Sequence, residues 1–340
     1  MFNKLYEKFK KFLRANYIYL IVLFSTYFIL TFPVPYIVEA PGGIMDIEEK
    51  IDIDSNVDTK GSYNLAYVTE YQGTVFTALL SFIIPDWDLE KVETTDVNEN
   101  KEATYLRDHL MLEEANQTAI LYAYQKAGKE VKIKKEKMYV TYLDPSIDWQ
   151  LKIGDELLKA DGIPLKSKDD LTSIIQTKEV GDMILLTVKR DGKEEDVHAK
   201  IRQEDGEKVL GVIISFLREV ETKPEITLNF NKSESGPSAG FMTALTIYQA
   251  LIDVDLTNGL KIVGTGTIDA NGNIGSIGGV RYKLMGAEKA KADLFFVPEG
   301  DNYQEAKKLK EERNYKMKLF KVKTFDDVLQ YLKKQNGIKK

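Results

Sequence analysis

This chain of 340 residues has no cysteine and only two histidines, His109 and His198. The first absence removes disulfide scaffolds, thiol nucleophiles and thiolate-held metals. The second argues against a multi-histidine metal centre, so no metal is expected. His198 lies in Asp196-Val197-His198-Ala199-Lys200, an exposed-looking strand pattern far from any serine motif, and reads as solvated surface. No Gly-x-x-x-x-Gly-Lys-Ser/Thr phosphate loop occurs. The glycines of Gly264-Thr265-Gly266 and Gly272-Asn273-Ile274-Gly275 lack the dinucleotide spacing and read as turns. Neither ATP nor any other cofactor is therefore expected. With a net charge of −6, the chain also lacks the basic balance of a nucleic-acid binder. Internal repeats and low-complexity tracts are missing too.

What is present begins with an uncharged run over residues 16–38, rich in Ile, Leu, Val, Phe and Tyr. It is long enough to cross a hydrocarbon core of about 30 Å as a helix. Lys4, Lys8, Lys10, Lys11 and Arg14 precede it against a single Glu7. Positive flanks stay in the cytoplasm, so the rest of the chain is expected outside the plasma membrane. A cleaved signal peptide is the rival reading, with Val38-Glu39-Ala40 as a partial cleavage site, but Pro41 follows it and the apolar run is long for a signal. The Lys-rich end (Lys333, Lys334, Lys339 and Lys340) reads as a solvated tail.

Two segments near the C-terminus carry the chemistry. The apolar run 226–230 leads into Gly236-Pro237-Ser238-Ala239-Gly240 and then a predicted helix over 241–252. Pro237 suits a first helical position, so Ser238 falls at a helix N-terminus, where free N–H groups and the dipole favour negative charge. An acyl-transfer nucleophile needs that setting because an oxyanion develops beside it. Further on, 260–268 reads as a strand carrying Thr265 and Thr267, and Ala270-Asn271-Gly272-Asn273 reads as a hairpin turn. Ile277-Gly278-Gly279 then opens a helix over 280–290 with Lys283 in its first turn. A helix N-terminus disfavours a cation, which depresses a lysine's pKa and suits it to act as a general base. Taken singly, a capping serine and a solvated lysine are the readier explanations of these segments.

Together they closely resemble the proteolytic domain of the Lon family of serine proteases, from about Ile226 to the C-terminus. The shared features include Thr265-Gly266-Thr267-Ile268, Ile277-Gly278-Gly279, and Val297-Pro298-Glu299 followed by Asn302. The resemblance implies Ser238 as nucleophile, Lys283 as general base and Thr265 as the hydroxyl supporting that lysine. It also implies backbone oxyanion stabilisation around Gly236, Pro237 and Ala239. Ser235 departs from the family, many of whose ATP-dependent members have aspartate there, which bears on the oxyanion-hole geometry. Related Lon domains form six-membered rings.

The middle of the chain holds a second pattern. Residues 151–160 alternate into a strand that ends at Asp161-Gly162, Ser167 caps a short helix reaching about Gln176, and 183–189 closes at Arg190-Asp191-Gly192-Lys193. Its Ile153-Gly154-Asp155 core, Asp-Gly turn and Arg-Asp-Gly hairpin resemble bacterial PDZ domains, which add an extended peptide to a sheet edge. The peptide-binding loop is expected at Lys137-Met138-Tyr139-Val140, with Met138, Tyr139 and Val140 as contacts, although it lacks the usual glycine. Within 39–127, a strand is read at 63–68, a helix at 106–124, a turn at Pro41-Gly42-Gly43 and a surface loop along the acidic run 86–100.

Anchor, leading segment, PDZ and protease in this order resemble the membrane-anchored, PDZ-containing Lon-like proteases of Gram-positive bacteria. In that family the leading segment packs with the protease domain. The expected fold is α+β: a transmembrane helix, then a PDZ-like β-rich domain inserted before a Lon-type α/β proteolytic domain. The boundaries expected are 1–14 cytoplasmic, 15–38 anchor, 39–127 leading segment, 128–206 PDZ and 207–340 protease. The expected function is ATP-independent cleavage of extracellular peptides or flexible protein segments, with the PDZ domain selecting or gating substrate. A non-catalytic membrane-tethered PDZ scaffold is the alternative. A penicillin-binding-type acyl transferase is set aside because no Ser-x-x-Lys tetrad is present.

Overall fold

The computed structural model describes residues 2–91, 101–144, 147, 150–231 and 233–335. Helix α1 (Phe2–Thr31) is apolar on every side of its second half and buries none of its residues. Its uncharged part, 15–31, is about 25 Å long at 1.5 Å per residue. The uncharged run does not stay helical to residue 38 as expected. Pro33 and Pro35 push the preceding residues out of the helical region, and the chain enters strand β1 (Pro33–Asp46). Pro41-Gly42-Gly43, expected as a turn, lies inside this strand at an irregularity in its pairing.

After β2 (Ile51–Ile53), strand β3 (Ser62–Thr74) pairs antiparallel with β1 along nearly its whole length. Helix α2 (Val75–Ser81) follows under a Thr74–Thr77 capping box. The acidic run expected as a loop opens instead as strand β4 (Asp88–Lys91), paired with β1 from Tyr36 to Glu39; its remainder, 92–100, lies outside the described residues. Helix α3 (Lys101–Lys126) completes the leading segment.

A six-strand sheet then forms from β5 (Glu130–Leu143), β6 (Glu156–Ala160), β8 (Met183–Arg190), β9 (Lys193–Lys200) and β12 (Val212–Lys223), in the order β12-β5-β6-β8-β9, with a short sixth strand paired to β6. Short strands β7 (Ile163–Pro164), β10 (Arg202–Glu204) and β11 (Glu207–Val209) and helix α4 (Lys168–Gln176) fill the connections. A separate core of Met138, Val140, Leu157, Leu171, Ile184 and Leu186 holds this module together. Because β12 pairs with β5 from Val212 to Lys223, the module runs to residue 223, past the boundary expected at 206. The same pairing corrects the expected peptide-binding loop. Residues 137–140 lie in β5, hydrogen bonded across to β12, with Met138 and Val140 buried and Tyr139 paired to Glu156 on β6. The edge strands of the sheet are β12 and β9.

Asp155, from the Ile-Gly-Asp core, and Arg190, from the Arg-Asp-Gly hairpin, form a two-bond ion pair at 2.7 and 2.6 Å. Asp155 is 1% exposed and also accepts from the Lys152 N–H at 2.8 Å.

The C-terminal half follows with β13 (Ile226–Leu228), which pairs with β2, a 3-10 turn at Pro237–Ala239, and α5 (Gly240–Ile252). Next come β14 (Lys261–Gly264), the hairpin β15 (Thr267–Ile268) and β16 (Ile274–Gly275), and α6 (Val280–Lys289). The predicted strand 260–268 is thus two strands broken at Thr265 and Gly266. Strand β17 (Leu294–Pro298), α7 (Asp301–Glu312), β18 (Lys318–Val322) and α8 (Phe325–Gln335) end the described chain.

One six-strand sheet, β18-β17-β14-β3-β1-β4, joins both ends of the sequence, with β14 parallel to β3 through Lys261↔Ser62 and its neighbours. Helices cover both faces of its centre, so β14 and β17 are apolar on alternate and intervening positions alike. Ile262, Leu294 and Phe296 face α3, α5 and α8; Val263, Phe295 and Val297 face α6 and α7. Helix α8 meets this core with Phe325, Val328, Leu329 and Leu332, one face of a 3.6-residue period.

Removing one member of a buried ion pair strands the other, at a cost of about 3–5 kcal/mol. Asp155→Ala is therefore expected to lower the thermal stability of the PDZ module by roughly 3 kcal/mol. Unfolding of the detergent-solubilised chain, followed by proteolysis of the 130–223 region, measures the loss.

Candidate active site

The turn at Pro237–Ala239 is held from two sides. The Gly236 N–H donates to the Asp108 carbonyl of α3 at 3.1 Å, and the Gly266 N–H donates to the Ser238 carbonyl at 3.0 Å. Ahead of it, Lys50 pairs with Glu234 at 2.7 Å, and Glu234 accepts from the Asn231 N–H at 2.6 Å. Ser238 thus sits on a short turn fixed by α3, the β14–β15 break and the loop from β13.

Lys283 is placed by α6. Gly279, just before this helix, has φ +63°, and a Cβ there would stand 2.7 Å from Val68 Cγ2. Asn302 clamps Ile277, two residues before Gly279: its Oδ1 accepts from the Ile277 N–H and its Nδ2 donates to the Ile277 carbonyl, both at 2.9 Å. The helix also lies close on β1, because a Cβ on Gly286 would meet the Gly43 carbonyl at 3.1 Å. Close approach of this kind needs glycine on both sides.

Ser238 and Lys283 line one cleft of about 1230 Å³. Lys283 is 5% exposed, and burial lowers its ammonium pKa to about 8 from an ordinary 10.5. Glu39 and Glu70 pull it back upward from a distance, and no salt bridge joins them to it among the described residues. Glu39's own carboxyl is held above its ordinary value, by burial first and then by Glu90, Glu70 and Asp88. A neutral amine is thereby brought within reach of neutral pH without being tied to a carboxylate.

Thr265 is fully buried, and its hydroxyl donates to the Ser238 carbonyl at 3.4 Å. This bond braces the serine turn. Of the expected oxyanion positions, Gly236 has its N–H engaged by Asp108 and Pro237 has none. Ala239 and Ser238 itself are the N–H groups at the open start of the turn. Met138, Tyr139 and Val140 lie in the PDZ sheet and not on this cleft. His198 is exposed on β9. Sequence reasoning missed the far wall, where Glu39, Asp46, Tyr67, Val68, Glu70 and Asp108 come from the leading segment. None of them stands in a motif, so only the pairing of β3 with β14 could have found them.

Comparison with known proteins gives two domain matches. Residues 231–334 match the Lon protease C-terminal proteolytic domain, and residues 116–201 match the PDZ domain. The Lon protease of Campylobacter jejuni is 27% identical over 191 residues, covering 53% of this chain and 22% of that protein. The Lon protease of Fusobacterium nucleatum is 39% identical over 98 residues, covering 28% and 12%. The chain thus spans about a fifth or less of the length of these relatives. A crystal structure of the PDZ domain of an SdrC-like protein from Listeria monocytogenes aligns at 25% identity over 24% of this chain and 92% of that domain, with a TM-score of 0.22. A segment matching the Lon C-terminal proteolytic domain thus lies behind one matching the PDZ domain and an N-terminal apolar helix, a make-up that fits a membrane-anchored PDZ Lon-like protease.

Proposed function

We propose that this chain is a serine endopeptidase with a Ser238–Lys283 dyad, anchored in the plasma membrane by α1 and cleaving peptides or flexible protein segments outside the cell. One observation carries the reading: Ser238, at the start of a helix, and a buried, pKa-lowered Lys283 open into a single cleft. In its neutral form Lys283 takes the Ser238 proton as the hydroxyl oxygen attacks the substrate carbonyl. The oxyanion is received by the N–H groups of Ser238 and Ala239. Lys283 then protonates the leaving amine, and water releases the acyl group from Ser238. Thr265 and Asn302 act as positioning residues, one through the Ser238 carbonyl and the other through the α6 N-terminus. The sequence has no phosphate loop, so substrates are expected to arrive already unfolded. The basic residues ahead of α1 support an orientation with the N-terminus in the cytoplasm.

The PDZ module is assigned to substrate selection along the free edge of β12. The Phe216 N–H already bonds to Glu114 of α3 at 3.0 Å, and the Arg218 N–H bonds to Gln117 of α3. The stretch near Gly211 and Val212 is left as the place for an added peptide strand.

Ser238→Ala and Lys283→Met are each expected to lower hydrolysis of a flexible peptide by several orders of magnitude while the chain stays folded. Native activity, with ATP absent, should rise with pH and level off above about 8, where Lys283 is neutral. Full activity in either variant overturns the dyad. A lysine whose folded pKa is depressed binds fewer protons folded than unfolded, so stability rises with pH between about 8 and 10.5. Lys283→Met should accordingly be more stable than native at pH 7, by roughly 1–3 kcal/mol, and should lose that pH dependence; thermal melts across pH measure both.

Because Glu130 pairs with Lys223, the ends of the PDZ insertion are neighbours and residues 131–222 can be replaced by a short Gly-Ser link. The excised protein should cleave a short peptide at near-native rate and a long flexible protein roughly tenfold more slowly, since edge binding raises local substrate concentration. Equal loss on both would mean that the module serves only to steady α3.

A further inference from the structure

Residues 71–85 contain no charged side chain, although Glu70 and Asp86 bound them directly. They form the end of β3, the short helix α2 and the turn after it. Phe82 is 81% exposed and Ile83 75%, with Phe76 and Leu79 also open to solvent. Single exposed apolar residues are ordinary on a protein surface, but a contiguous set marks a partner.

The position of this set names the partner. The Val75 N–H donates to the Phe32 carbonyl at 3.2 Å, so α2 starts where α1 ends, and the two helices pack together. The apolar surface of α1, unburied all round, therefore continues without a break onto Phe76, Leu79, Phe82 and Ile83. At the border with the charged body, Tyr71 stacks on Trp87 with ring centroids 5.3 Å apart. Just beyond it, Asp86 is tied back to the protease half by Arg313 at 2.6 Å. Apolar tip, aromatic border and charged body follow the layering of a membrane–water interface.

We infer that α2 and the turn after it dip into the outer face of the lipid bilayer beside α1, as a second membrane contact that sets the orientation of the proteolytic domain. This rests on the reading of α1 as a membrane span. Strand β3 links the contact to the cleft, running from Val68 and Glu70 on the cleft wall to Val75 at the start of α2. At about 3.4 Å per residue, that places the cleft wall roughly 17–24 Å along the strand from the start of α2. Two points of attachment fix the domain's tilt, which one helix alone leaves free.

The absence of cysteine makes the test direct. The full chain, carrying one of Phe82→Cys, Ile83→Cys, Leu23→Cys or Ile163→Cys, is labelled with an environment-sensitive fluorophore and placed in vesicles of phosphatidylglycerol and phosphatidylethanolamine. Quenchers attached to the lipid acyl chains are then added. Position 23 lies in α1 and reports the span; position 163 is an exposed isoleucine on the PDZ sheet and reports water. Labels at 82 and 83 are expected to show at least half the quenching of position 23, from shallower quenchers, with position 163 unaffected. Quenching at 23 but not at 82 or 83 overturns the second contact and leaves the span standing. No quenching at 23 removes the span, and the inference with it. Protection at 82 and 83 that grows with protein density and ignores lipid quenchers assigns the surface to a second copy of the chain and also overturns it.

Discussion

Strand β3 is the element on which the rest of the structure depends. It pairs antiparallel with β1 on one side and parallel with β14 on the other, so one sheet is made from residues near the N-terminus and residues beyond 260. Each edge of β3 would otherwise expose unpaired backbone groups over a long strand. The PDZ module becomes an insertion because the chain leaves this sheet after β4 and returns to it only at β14. The pairing of Glu130 with Lys223 lets it do so with its two ends side by side.

The same pairing sets the electrostatics of the cleft. Lys283 comes from the C-terminal half, whereas Glu39 and Glu70, which oppose the effect of its burial, come from β1 and β3. Burial wins, and the ammonium falls to about 8. A carboxylate in direct contact would have fixed the lysine as a cation. Glu39, itself pushed up by burial and then by its acidic neighbours, offers no such partner. Keeping a basic group buried without an ion pair costs stability, a common condition of sites that do chemistry.

Helix α3 joins the two modules. Its Asp108 carbonyl holds the Ser238 turn, its Glu114 and Gln117 hold the upper edge of β12, and its apolar face enters the protease core through Leu112 and Ala119. A strand added along β12 would therefore lie next to the helix that supports the proposed nucleophile. The same leading segment touches α1 through α2, so span, selection module and cleft are all referred to one stretch of chain.

Local chemistry was enough to read much of this from sequence. The positions of Ser238 and Lys283 at helix starts, the Ala270–Asn273 turn, the Ser167 cap and the segment 183–189 depend on neighbours a few residues away, and they stand where they were expected. The apolar run near the N-terminus announced a helix, and even its early end at Thr31 follows from Pro33 and Pro35. Long-range pairing decided the remainder. That residues 137–140 lie in an interior strand, that Thr265 turns to the Ser238 carbonyl, that the Gly236 N–H is taken by Asp108 and that the PDZ sheet runs to 223 all depend on partners 27 to 128 positions away in sequence, or on strands that only meet once folded. Sequence motifs specify which atoms can react; the backbone ladder between distant strands specifies which of them share a cleft, because a hydrogen-bonded register is a property of two segments and is written in neither alone.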